Sequence, residues 1–218
     1  MAKRYDLIVF DWDGTLLDSA AAIVRSIQAA SQDLGLPVPD DVRARHVIGL
    51  GLQDALAHAV PELPPCDYPR MVERYRHHYL SSDHELMLFD GVPAMIERLA
   101  QGGWFLGVAT GKSRQGLDRA LAHSGLGEYF DATRCADESF SKPHPAMLEA
   151  LMEELVVEPA RTLMIGDTTH DLQMAVNAGV DAVGVSYGAH PPEGLATVPS
   201  VACVDSLGAL DRWLAQNA

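Results

Sequence analysis

The chain has 218 residues, 48% hydrophobic and 21% charged, with 16 Lys and Arg against 30 Asp and Glu for a formal charge of −14. That length suits one large domain or a core with a smaller inserted one. The negative field repels nucleic acid and anionic membranes at long range, so neither is expected as a partner. It also repels a phosphorylated small molecule, so any anion site must be locally positive. No apolar run approaches the roughly 20 residues that span a bilayer. The run after Met1-Ala2-Lys3-Arg4 stops at Asp11, too early for a signal-peptide core. Three widely spaced cysteines, Cys66, Cys135 and Cys203, are an odd number, which fits buried, inert thiols in a reducing cytoplasm.

Tyr5–Phe10 is the first short apolar run, of the kind that forms a parallel strand buried on both faces. No strand is predicted from about Ser19 to Leu88. Helices are expected there at Ala20–Leu34, Asp40–His46, Leu52–Val60 and Asp67–Ser81, joined at Pro37, Pro39, Pro61, Pro64 and Pro65. Alternation then begins. Gly91–Ala100 puts Val92, Met95, Ile96 and Leu99 on one helical face. Trp104–Ala109 is a strand. Ser113–Ser124 opens on a good N-cap. Pro145–Leu155, strand Thr162–Ile165, Asp171–Asn177 with Gly179 as its C-cap, and strand Val180–Val185 follow. Strands alternating with helices imply a parallel α/β sheet with right-handed crossovers. The strand-free stretch reads as an inserted helical domain, hinged near Leu16–Ser19 and Leu86–Gly91. The division is therefore a core of residues 1–17 and 89–218 and an insert of residues 18–88.

Ligands of open parallel sheets bind at the carboxyl ends of the strands. Those ends here are Asp11-Trp12-Asp13-Gly14-Thr15, Thr110-Gly111-Lys112 and Gly166-Asp167-Thr168-Thr169-His170-Asp171, with Ser141-Lys142-Pro143 before a helix. Two carboxylates two residues apart at the end of a buried strand are costly to desolvate and raise each other's pKa. A divalent cation or acid–base work would offset that cost. His170 has no partner histidine nearby and reads as background.

These four elements, in this order, resemble the motifs of the haloacid dehalogenase-like (HAD) phosphohydrolases over essentially the whole chain. The helical insert falls where the subfamily resembling phosphoglycolate phosphatases carries its cap. The resemblance implies a Rossmann-like parallel-sheet core and a magnesium-dependent phosphatase acting on a small phosphorylated metabolite. Asp11 is then the nucleophile that forms an aspartyl phosphate. Asp13 is the general acid for the leaving oxygen and then the base for water. Gly14 permits the tight loop. Thr110 and the N–H of Gly111 grip phosphoryl oxygens, and Lys142 neutralises both the phosphate and Asp11. Asp11, Asp167 and the backbone carbonyl of Asp13 hold magnesium. Asp171 acts through a bound water or by orienting Lys142. Lys112 has either a solvated, substrate-steering or catalytic role.

The insert contains no lysine, so the likeness to phosphonoacetaldehyde hydrolases, which need a cap lysine, fails. Asp13 separates the chain from haloacid dehalogenases themselves. Phosphoglycolate phosphatases, pyrophosphatases and sugar-phosphate mutases all remain. The turn Ile48-Gly49-Leu50-Gly51-Leu52-Gln53 resembles the cap segment that reaches toward substrate. It is largely apolar, with Gln53 its one hydrogen-bonding side chain, which weakens the case for a small carboxylate substrate. Arg43 and Arg45 are alternatives for that role, and Leu50 and Leu52 serve equally as core. A non-catalytic phosphate-binding protein is disfavoured, because Asp11, Asp13 and Lys142 are all present. The oligomeric state is open, a monomer being compatible with everything above.

Overall fold

A computed structural model describes residues 3–218. Among these, six parallel strands form one sheet: β1 (Leu7–Phe10), β2 (Phe105–Thr110), β3 (Ala132–Cys135), β4 (Thr162–Gly166), β5 (Asp181–Val185) and β6 (Ala202–Val204). Their order is β3-β2-β1-β4-β5-β6. The helices are α1 (Ala20–Asp33), α2 (Asp41–His46), α3 (Leu52–Ala59), α4 (Tyr68–Ser82), α5 (Val92–Gln101), α6 (Arg114–Ser124), α7 (Ala146–Leu155), α8 (Thr169–Ala178), α9 (Pro192–Leu195) and α10 (Leu207–Asn217).

Side chains alternate across a strand, and β1 uses both faces. Ile8 and Phe10 join one apolar cluster with Val92, Ile96 and Leu99 of α5, Leu117 of α6, and Leu210 and Leu214 of α10. Leu7 and Val9 join the other, with Met147, Leu148 and Leu151 of α7 and Leu172 and Met174 of α8. The result is a Rossmann-like sheet between two helical layers. Each fully buried Leu or Ile in these layers contributes about 1.5–3 kcal/mol from burial.

The expected helices lie within a residue or two of their predicted bounds. α6 starts where the Ser113 side chain accepts from the Gly116 N–H. α8 starts two residues earlier than expected, because Thr168 and Asp171 form a reciprocal capping box. Four elements were not expected, β3, β6, α10 and the four-residue α9. β3 and β6 are the edge strands, short and partly polar, with Thr133 and Arg134 half-buried in β3 and Cys203 exposed in β6. α10 carries the apolar spacing Leu207, Leu210 and Leu214 behind a Ser206 cap. The expectation of buried thiols is corrected: Cys135 is buried, but Cys66 and Cys203 are exposed, both lying at positions that no core cluster includes.

Helices α1 to α4 pack around a third cluster of their own, centred on Ile27, Ile48, Leu56 and Met71. The chain leaves the sheet region and returns to it through two adjacent segments. The Asp18 N–H donates to the Met87 carbonyl at 3.0 Å, and the Phe89 N–H donates to the Leu16 carbonyl at 3.0 Å.

Candidate active site

Phe10 of β1 registers with Val108 of β2 and Ile165 of β4. Asp11, Thr110 and Asp167, one or two residues further on, therefore emerge together at the carboxyl edge of the sheet. The order reverses between β1 and β4, the place where open α/β sheets leave a crevice. Asp11, Thr110, Asp167 and Asp171 are fully buried, and Lys142 nearly so.

The Lys142 ammonium donates to Asp11 Oδ1 and to Asp171 Oδ1, both at 2.7 Å. The second oxygen of Asp171 accepts from the Thr168 backbone N–H at 3.0 Å and its hydroxyl at 2.7 Å. Asp167 accepts from the Thr15 hydroxyl at 3.0 Å and the Ala189 N–H at 2.7 Å. Thr15 thus reaches beyond its own loop. Asp11 Oδ2 is buried with no hydrogen-bond partner among the described residues. Carboxylate oxygens of Asp11, Asp167 and Asp171 lie within 4.8 Å of one another. Gly14 has φ +81°, and a Cβ there would stand 2.8 Å from Asp167 Cγ, so the loop can only close over the carboxylate with glycine.

Three carboxylates facing one ammonium leave excess negative charge in a dry place. Burial pushes the Asp11 carboxyl up to about 7; Lys142 opposes this, while Asp171 and Asp13 add to it. Burial, with Asp11 and Asp171 beside it, also raises Asp167 well above the carboxylate range. Burial alone would depress Lys142, but Asp11 and Asp171 hold it above its ordinary value. A buried, unpartnered oxygen within a cluster of hard oxygen ligands suits a divalent cation such as magnesium.

The Asp13 side chain stands apart from that group. Its Oδ1 accepts from the Ser19 hydroxyl at 2.6 Å, and both its oxygens accept from Lys112 Nζ at 2.9 Å. Lys112 also donates to the Tyr79 hydroxyl of α4 at 3.0 Å. Lys112 is therefore not a solvated charge: it joins Asp13 to the helical insert. Sequence spacing offered no signal for this contact, since its partners lie 99 and 33 residues away.

The turn before α3 presses directly on the phosphate-turn candidate. The Gly51 N–H donates to the Ser141 hydroxyl at 2.9 Å. A Cβ on Gly111 would stand 2.6 Å from the Gly49 carbonyl oxygen and nearer still to that of Leu50. Leu50 and Gln53 line the same cavity as Asp11, Asp13, Thr110 and Gly111, and the cavity has a volume of about 610 Å³. Arg43 and Arg45 are not among its lining residues. Leu50 and Leu52 also pack on the apolar cluster of the insert, so they serve both surfaces.

His170 is not background. Its ring lies 5.4 Å from those of His46 and His190, and His46 stacks on His190 at 5.1 Å. The ring nitrogens of His170 and His190 meet the His46 carbonyl oxygen at 2.7 and 3.2 Å. Burial pushes His190 down to about 4, helped by His170. The three come from α2, α8 and the segment after β5, a meeting that spacing along the chain conceals.

The model of the family described as haloacid dehalogenase-like hydrolase matches residues 8–185. A protein called probable phosphatase IndB from Dickeya dadantii (strain 3937) is 34% identical over 207 residues, 92% of this chain and 89% of that protein. A phosphoglycolate phosphatase from Vibrio vulnificus (strain CMCP6) is 31% identical over 218 residues, 95% of each chain. The crystal structure of a predicted phosphatase from Clostridium acetobutylicum superposes with a TM-score of 0.85 at 26% identity, covering 97% of this chain and 99% of that one. The chain belongs to the haloacid dehalogenase-like hydrolases and is a phosphoric monoester hydrolase of that family.

Proposed function

We propose that the chain hydrolyses a small phosphate monoester with magnesium, through an aspartyl phosphate on Asp11. The observation that carries this is the buried, unpartnered Asp11 Oδ2 among carboxylates whose charge Lys142 only partly offsets. Asp11 and Asp167, with the Asp13 backbone carbonyl and with Asp171 behind them, would hold the ion. When bound, magnesium supplies positive charge for the carboxylates and the phosphoryl oxygens.

Lys142 fixes the rotamer of Asp11, the alignment that a weak carboxylate nucleophile needs. The Asp11 oxygen not given to the ion forms the new bond to phosphorus while the bond to the alcohol breaks. Asp13 gives a proton to the departing alcohol oxygen. It then takes one from the water that displaces Asp11, releasing inorganic phosphate. Thr110 and the Gly111 N–H lie at the turn where phosphoryl oxygens would rest. Residues 18–88 act as a cap, hinged at the paired segments around Leu16–Asp18 and Met87–Phe89, and exclude water when seated on Gly111. The three unpaired cysteines suit a reducing cytoplasm. Among the described residues, no helix is long and apolar enough to cross a membrane.

Asp11→Asn tests the proposal. The amide cannot attack phosphorus and removes charge from the ion's site, so turnover should vanish and magnesium should no longer raise the melting temperature. Full activity in that variant, or in excess chelator, would refute it.

A further inference from the structure

The cavity before Asp11 has two unlike walls. The sheet edge supplies the phosphoryl chemistry. The facing wall comes from the insert and is mostly apolar, with Ile23 and Ile27 of α1, Ile48, Leu52, and Tyr75 and Tyr79 of α4 beside the polar Gln53, Asp54 and Arg76. The two tyrosine rings stack at 5.9 Å and 20°, and the Lys112 ammonium lies 4.8 Å from the centre of the Tyr79 ring. Phe140, two residues before Lys142, also lines the cavity and is 68% exposed.

The cations tell the same story. Lys112 is already held by both oxygens of Asp13 and by the Tyr79 hydroxyl. Arg76 and Arg119 line the cavity but are exposed to water, and Arg119 lies 4.0 Å from Asp83. A short alcohol carrying its own carboxylate would leave that charge against isoleucine and tyrosine, an unpaired burial that costs affinity. A volume of about 610 Å³ also lies in the range of sites that enclose drug-sized ligands.

We propose that the alcohol released by this enzyme is bulky and largely apolar, of aromatic size, seated between the Tyr75–Tyr79 face and Phe140. The proposal rests on the phosphatase reading above. It makes the insert's apolar wall, rather than a charged side chain, the chooser of substrate.

The test compares kcat/KM for ethyl phosphate, 2-phenylethyl phosphate and 2-phosphoglycolate with magnesium present. The first two release alcohols of similar acidity, so their ratio reads the pocket and not the chemistry. One methylene in an apolar pocket changes kcat/KM by about 10-fold or more. The phenylethyl ester should therefore exceed ethyl phosphate by at least about 10-fold, and exceed phosphoglycolate as well. Phe140→Ala and Tyr75→Ala should each shrink the phenylethyl-to-ethyl ratio. Because Tyr75→Ala risks loosening α4, Tyr75→Leu, which keeps apolar volume, should restore part of it. Phosphoglycolate turned over as well as or better than the phenylethyl ester overturns the proposal and leaves the phosphatase reading standing. So does a ratio unmoved by Phe140→Ala and Tyr75→Ala. No Asp11-dependent turnover of any of the three overturns both.

Discussion

Replacing Gly111 by alanine probes the seat between the insert and the sheet edge. The residue does not have a positive φ, so the backbone accepts alanine and only space opposes it. The added Cβ would stand 2.6 Å from the Gly49 carbonyl oxygen, where ordinary contact begins at 3.4 Å, and nearer still to that of Leu50. The turn must therefore withdraw by about 1 Å. That stretches the 2.9 Å bond from the Gly51 N–H to the Ser141 hydroxyl past useful length. One such bond is worth about 0.5–1.5 kcal/mol, a several-fold loss of the closed state. A misplacement of about 1 Å at a reacting centre costs up to about 10²-fold more. The clash falls on backbone carbonyls of the turn rather than on the side chains of the apolar clusters, so the melting temperature should change little. The assay is kcat/KM on a small phosphoester alongside thermal melting. Parental kcat/KM would refute the idea that this contact assembles the site, and a collapse of the melting temperature would move the clash into the core.

Two further outcomes are expected. Asp13→Asn keeps the nucleophile but removes the acid and base, so turnover of alkyl phosphates should fall by about 10²–10⁴-fold. Aryl phosphates, whose leaving groups need little protonation, should lose less; equal losses in steady-state assays would deny Asp13 the role of acid. The second concerns pH. Asp11 is raised from the ordinary 3.8 to about 7, chiefly by burial, so between those values the folded chain binds a proton that the unfolded chain has released. The Asp11 contribution to stability in chelator should therefore fall as pH rises through that window, while buried His170 and His190, shifted down, act in the opposite sense there and cancel between curves taken with and without magnesium. Arginine-paired Asp6 and Glu138 are shifted the other way and act only at lower pH. Excess magnesium should offset the fall, so melting curves with and without it should diverge from pH 4 to 7. Curves that stay parallel would show that the carboxylate cluster holds no ion.

The motifs at the strand ends were legible because each is local: a strand stop, a carboxylate and a turn within five residues. The sheet interior was legible for the same reason, as continuous apolar runs in β1, β2, β4 and β5. The edge strands were not. Thr133 and Arg134 of β3 face a half-solvated margin, and the pattern of a buried strand is absent there. α10 did leave a signal, in the Ser206 cap and the Leu207, Leu210, Leu214 spacing. What spacing could not carry was encounter. Lys112 finds Asp13 and Tyr79, and His46 finds His170 and His190, because the insert folds back over the sheet edge. Nothing local in either segment encodes that approach.

The placement of the lysines has a further consequence. The chain has three, and two of them, Lys112 and Lys142, are interior. Almost all of its outward positive charge is arginine, which amine-acylating reagents do not modify. Such a reagent added to the folded protein therefore meets two concealed amines at different depths. Lys112 is reached once α4 lifts and Tyr79 lets go. Lys142 is reached only when Asp11 and Asp171 release it, which requires the sheet edge itself to come apart. The two acylation rates thus time two separate openings of the same molecule, one of the insert and one of the core, within a single labelling experiment.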